Sequence, residues 1–282
     1  MSQINRRALL ASFTGAACGT GLTLVRADSP RERTRPAPSV DTVGWVRNVL
    51  GKILYIGDDE KERGREWFAF SYREDGQVTL RAYCEIDDTR VERDVVQSMN
   101  QQFHPLDCFV RLHVGGKFLG SGWIRVSDAE AECEVFSTTL GRVHQRVPLT
   151  QPVRSLVSHP LASDALLLAS FDHARPERIQ TWQGGLSTSP LLNGGSGPLL
   201  SVQGERSTEY VGAERITTAA GIFDTHHYRL LLDPRPDGKP CSYDIWCTHP
   251  DYIFVRGEVR GYLTNATGFG HYELVQLEGR KV

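Results

Sequence analysis

A chain of 282 residues, 40% hydrophobic and 9% aromatic, carries enough apolar material for one large β domain or two smaller ones. Its formal net charge of -2, with no basic stripe interleaved with aromatic residues, argues against a nucleic-acid partner. Six cysteines that never form a CxxC pair or a zinc-type Cys/His cluster argue against a structural metal.

Residues 1–27 open with the pair Arg6-Arg7, and an uncharged run of small and apolar residues follows from Ala8 to Val25. This is the pattern of an export signal, and paired Arg ahead of x-Leu-Leu resembles the twin-arginine signal of bacteria. Its Gly, Ala and Thr content and marginal length favour a signal cleaved after Ala27 over a membrane anchor, so no stable membrane span is expected afterwards. Residues 28–42 are rich in Pro and Arg and read as a disordered tether. The expected location is the periplasm or the medium.

From residue 43 to 282 the sequence reads as one β-rich domain. Strands are expected over 45–56, 65–72, 77–86, 90–99, 108–114, 118–126, 131–137 and 142–149, separated by Asp/Gly-rich turns, with Gly115-Gly116 as a hairpin. Segment 152–174 is the one helical piece, with Ser163 or Asp164 as N-cap before ALLLASF. A Gly/Pro/Ser-rich loop over 187–200 follows, of a length that is functional more often than short loops are. Strands resume over 208–221, 225–232, 241–248, 252–259 and 271–278. The fold class is therefore all-β, an antiparallel meander forming a barrel or curved half-barrel with one short helix in the middle. FAFSYREDG with its aromatic-Cys strand echoes HYRLLLDPRPDG with its own, which suggests two similar halves, 43–150 and 205–282.

Strand alternation sorts the candidate site residues into faces. In THHYRLLL, His226, Tyr228 and Leu230 share one face, while His227 and Arg229 share the other and read as solvated. Asp244 of SYDIWCT is expected on a neighbouring strand, where a carboxylate near His226 would orient it as a general base. Trp246 is expected to line the same cavity. Arg111 and His113, with Trp123 across the hairpin, would line a pocket for a carboxylate or phenolate ring if their face looked inward. The opposite face, Cys108, Val110, Leu112 and Val114, is wholly apolar and the more natural core. No GxSxG, HExxH, facial triad or Gly-rich phosphate loop is present, so no cofactor is expected. Five cysteines follow the signal, an odd number that allows one or two bridges or a set of buried thiols.

The C-terminal third, YVGAERITTAAGIFDTHHYRLLL through YDIWCTHPDYIFVR to GYLTNATGFGHYELVQLE, resembles a family of bacterial envelope β-proteins with no assigned activity. That resemblance implies a curved antiparallel sheet or half-barrel similar to lipoprotein carriers and lipocalins, with an apolar concavity. The leading expectation is an exported protein binding a small hydrophobic or aromatic molecule, fixed by Arg111, His113, Trp123 and Trp246. The alternative is a cofactor-independent lyase or isomerase on an aromatic or terpenoid substrate. In that case His226 is the base, Asp244 its orienter, and Tyr228 or Arg111 stabilises developing charge.

Overall fold

The computed structural model describes residues 44–233, 241–261, 263 and 269–281. The signal-like segment 1–27, the tether 28–42 and the Asp-Gly turn within 234–240 lie outside the described residues. Alternating apolar and polar residues, cut by short polar turns, make the first eight strands a plain meander. These are β1 (Trp45–Gly57), β2 (Glu62–Arg73), β3 (Val78–Ile86), β4 (Val91–Met99), β5 (Pro105–Val114), β6 (Lys117–Val126), β7 (Glu130–Ser137) and β8 (Gly141–Pro148). An irregular stretch follows, with short strands β9 (Leu156–Val157), β10 (Ile179–Trp182), β11 (Leu186–Ser187) and β12 (Ser201–Val202). Between β9 and β10 sit one helical turn, α1 (Leu161–Asp164), and a 3-10 segment, Ala165–Ser170. A second meander closes the chain: β13 (Arg206–Thr218), β14 (Gly221–Leu232), β15 (Cys241–Cys247), β16 (Phe254–Arg260) and β17 (Phe269–Lys281).

Both meanders belong to one 14-stranded antiparallel sheet. Its order runs β10-β13-β14-β15-β16-β17 and continues β1-β2-β3-β4-β5-β6-β7-β8. The junction is the long pair β1–β17, with Arg47 opposite Lys281 and Gly57 opposite Gly270. The sheet is not closed, since β10 and β8 end it unpaired with each other. β9, β11 and β12 form a separate three-stranded sheet.

One face of the large sheet wraps the helical piece. Ile53, Phe70 and Leu80 from the first meander and Tyr228, Leu230 and Ile245 from the second pack with Leu161, Leu166, Leu168 and Phe171 in one core. Leu168 is fully buried there, and truncating such a leucine costs about 2–5 kcal/mol. A second core joins Cys108, Val110, Ile124 and Val135 to Leu156, Leu186 and Leu200. All five described cysteines are buried and unbridged.

One turn, α1, precedes the expected cap. Pro160 is the N-cap of α1, and Asp164 holds the expected N-cap position of the 3-10 segment Ala165–Ser170, but neither makes a side-chain cap hydrogen bond. The capping group comes from the sheet instead, as described next.

Candidate functional site

The alternation of β2 places Glu66 on the same face as Phe68 and Phe70, toward the core. Register then sets Glu66 opposite Cys84 on β3, and Cys84 opposite Arg93 on β4. A carboxylate, a thiol and a guanidinium thus cross three strands in one buried row. Glu66 accepts hydrogen bonds from the amides of Leu161 (2.6 Å) and Ala162 (2.9 Å) and from the Tyr55 hydroxyl (2.9 Å). It satisfies two of the amides that a helix start leaves open. Burial outweighs these donors and lifts the Glu66 carboxyl to about 7.

Arg93, 2% exposed, donates to the Asn193 carbonyl at 3.5 Å from both terminal nitrogens. The neighbouring Gly194 has φ +63°, and a Cβ there would lie 1.9 Å from the guanidinium. Only glycine fits this position. The 187–200 loop is thereby seated on the sheet at Arg93.

Beneath that loop lies a cavity of about 400 Å³. Tyr55, Ile86, Leu161, Leu191, Leu192 and Tyr272 give it an apolar wall, and Arg63, Asp88, His159 and Asp164 add polar points. Leu191 and Leu192 are 51% and 62% exposed, so the loop forms a rim that faces both cavity and solvent. A smaller chamber of about 90 Å³ shares His159, Asp164 and Pro190–Leu192 with the first and adds Ser187, Gln203 and Arg206.

Two groups on the shared wall have displaced proton affinities. Both are partly buried and border both chambers. Burial and then the nearby Glu66 push the Asp164 carboxyl up to about 8, against a hydrogen bond from Tyr243 and the charges of Arg206 and Arg93. Burial and the charge of Arg93 push the His159 imidazole down to about 3. His159 sits at φ +79°, and its Nδ1 lies 3.2 Å from the Leu192 carbonyl, so Nδ1–H donates to the loop. Near neutrality both wall groups are uncharged hydrogen-bonding groups in a mostly apolar space.

The residues singled out from sequence lie elsewhere. His226 and Tyr228 do share a face, and Tyr228 is fully buried with its hydroxyl 2.7 Å from His173 Nε2. His226 packs in an aromatic nest, its ring centroid 5.2 Å from that of His173 and 4.9 Å from that of His249. This nest is not on the wall of the cavity; His226 and His249 border an open groove with Glu214 and Asp224. Burial and the neighbouring imidazoles lower the affinity of His226 for a proton, and that of His173 likewise. Among the described residues, no group of three His, Cys, Asp or Glu side chains is arranged to hold a metal ion.

Asp244 does not orient His226. The β14–β15 register sets Asp244 opposite Arg229 and Cys247 opposite His226, which turns Asp244 to the other face of the sheet. There it bonds His227 Nε2 at 2.7 Å and Arg229 at 2.9 Å, and these two partners hold its carboxyl below the usual range despite burial. His227 is accordingly no solvated side chain: it is 12% exposed and stacks on Trp246 at 4.0 Å. Trp246 donates its indole N–H to Glu214 on that same outer face at 2.7 Å and is on the wall of neither chamber. Arg111 and Trp123 also point outward, Trp123 at 41% exposure. His113 is half-buried against the Phe118 ring. The reason is the apolar alternate set, since Cys108, Val110 and Leu112 claim the core side of β5.

No protein-family model matches the chain, and no curated protein matches its sequence. Solved structures align with it over most of its length. A β-barrel-like protein of the DUF1849 group from Brucella abortus aligns over 84% of this chain and 98% of its own, with a TM-score of 0.50 at 10% identity. A DUF1329 family protein from Desulfovibrio piger aligns over 84% of this chain and 88% of its own, with a TM-score of 0.26 at 10% identity. The fold of this chain is therefore β-barrel-like, as the resemblance in its C-terminal third implies.

Proposed function

We propose that this is an exported binding protein that holds a small apolar molecule between the inner face of the open sheet and the 187–200 loop. The observation that carries the reading is the cavity of about 400 Å³, walled by Tyr55, Ile86, Leu161, Leu191, Leu192 and Tyr272. Sites for small apolar ligands have this size and this make-up, an apolar wall with a few fixed polar groups. The half-exposed leucines at its rim fit a mouth through which such a ligand enters. Export by the signal-like residues 1–27 belongs to the same proposal. The residues that bind are those of the cavity, in place of Arg111, His113, Trp123 and Trp246.

The test is titration with N-phenyl-1-naphthylamine, an uncharged aromatic fluorophore. Saturable enhancement at one site, weakened by Leu192→Asp, is expected. A linear response without saturation, or one unaffected by changes on the cavity wall, refutes the assignment.

A further inference from the structure

The charges around the two chambers do not cancel. Arg63, on the wall of the larger one, meets Asp88 at 3.3 Å. Asp164 stands between the chambers as a neutral acid, because burial and the adjacent Glu66 disfavour its anion. Arg206, on the wall of the smaller chamber, hydrogen-bonds Gln203, a neutral amide, and no carboxylate among the described residues. Asp164 and Asp233 act on it only through space. A half-buried guanidinium on the wall of a pocket is a strong donor to an anion, and its planar fork suits a carboxylate.

The dimensions fit the charges. About 90 Å³ is room for a few water molecules, which is enough for a carboxylate. The larger, apolar chamber shares His159 and Asp164 with it, so a chain can run from one into the other.

We propose that the ligand is a single-chain amphiphile with a carboxylate head, the head against Arg206 and the chain along Leu161, Leu191 and Leu192. This assignment rests on the binding role of the cavity and names the class of its ligand.

Displacement of N-phenyl-1-naphthylamine by decanoate and by decanol separates head from chain. Decanoate is expected to bind wild-type protein about 10–100-fold more tightly than decanol, the worth of a hydrogen bond to a charged group. Each methylene added to the acid is expected to tighten binding about fourfold. Arg206→Gln is expected to bring acid and alcohol within about threefold of each other, each competed against the fluorophore's affinity measured for that variant. Gln203→Glu, which puts a carboxylate on Arg206, gives the same loss of preference without removing the arginine. Equal displacement by acid and alcohol in wild type, or a preference that survives both variants, overturns the head-group assignment alone. Failure of the fluorophore itself to bind overturns the binding role of the cavity along with it.

Discussion

Replacing Asp164 by Asn removes a single titrating group from the cavity wall with little change of shape. The folded protein holds the Asp164 proton up to about 8, whereas an unfolded chain releases it near 3.8. Between those values the folded state binds more protons, so stability is present at low pH and falls as pH rises. The full displacement corresponds to about 6 kcal/mol, spread from pH 3.8 to 8 at 1.36 kcal/mol per unit. Most of that window is crowded. Glu66, raised to about 7, drives stability down over pH 4.5 to 7, and His159, lowered to about 3, drives it up over pH 3 to 6.5. Between pH 7 and 8 these are largely spent, and the buried thiols, raised above 9, have not begun. Asp164 then accounts for a loss of about 1 kcal/mol as its slope saturates. With a urea dependence of about 1–3 kcal/mol per molar, the wild-type midpoint should fall by about 0.3–1 M from pH 7 to 8. Asp164→Asn should show little of that fall. An equal fall in both proteins would mean that Asp164 is already ionised at pH 7, and the neutral cavity wall would be wrong.

Other substitutions separate the cavity from the positions that sequence patterns favoured. Leu192→Asp, at a 62% exposed rim position, should weaken binding of an apolar fluorophore while changing stability by no more than about 0.5 kcal/mol in a denaturant titration. Asp244→Ala should destabilise by about 3 kcal/mol, because it leaves His227 without its buried partner, and should leave fluorophore binding intact. Arg111→Ala and Trp123→Ala should leave the binding isotherm unchanged, since both side chains stand on the outer face. Acid should loosen the His173–His226–His249 nest, because folding lowers the affinity of His173 and His226 for protons and stability is lost as pH falls below 6.5. His226→Gln should remove part of that loss, read as the difference between variant and wild type in a pH series of melting temperatures, because Glu66, Asp164 and His159 titrate over the same range in both proteins.

The meanders were legible because each strand buries one face, so hydrophobic alternation and polar turns mark nearly every element. β5 illustrates this: Cys108, Val110 and Leu112 read as core and are core. Strand neighbours beyond the hairpins were not legible. The pairing of β17 with β1, which makes one sheet of two meanders, joins strands more than two hundred residues apart in the chain, and no local signal encodes it. The extra turn α1, which precedes the expected cap at Asp164, was not legible for a related reason. Ser163 and Asp164 have the right chemistry for a cap, but the amides of Leu161 and Ala162 are satisfied from across the fold by Glu66.

The same limit governs the site. Alternation correctly separates His226 from His227, yet an orienting carboxylate for His226 requires register as well as face, and a one-residue slip reverses the face of a whole strand. The pairing of Arg229 with Asp244 decides the matter and gives the carboxylate to His227. A stronger signal lay in REWFAFSY and RVERDVVQSM, where alternation puts Glu66 beside Phe68 and Phe70, and Arg93 between Val91 and Val95. An ionisable residue on an otherwise apolar strand face has to be buried with partners, and such residues mark places where the chain does something beyond packing. Doubled histidines draw the eye, but they sit in a strand whose two faces explain them both. A lone glutamate and a lone arginine in apolar rows are harder to explain by packing, and they are the two residues that seat the helix and the loop enclosing the cavity.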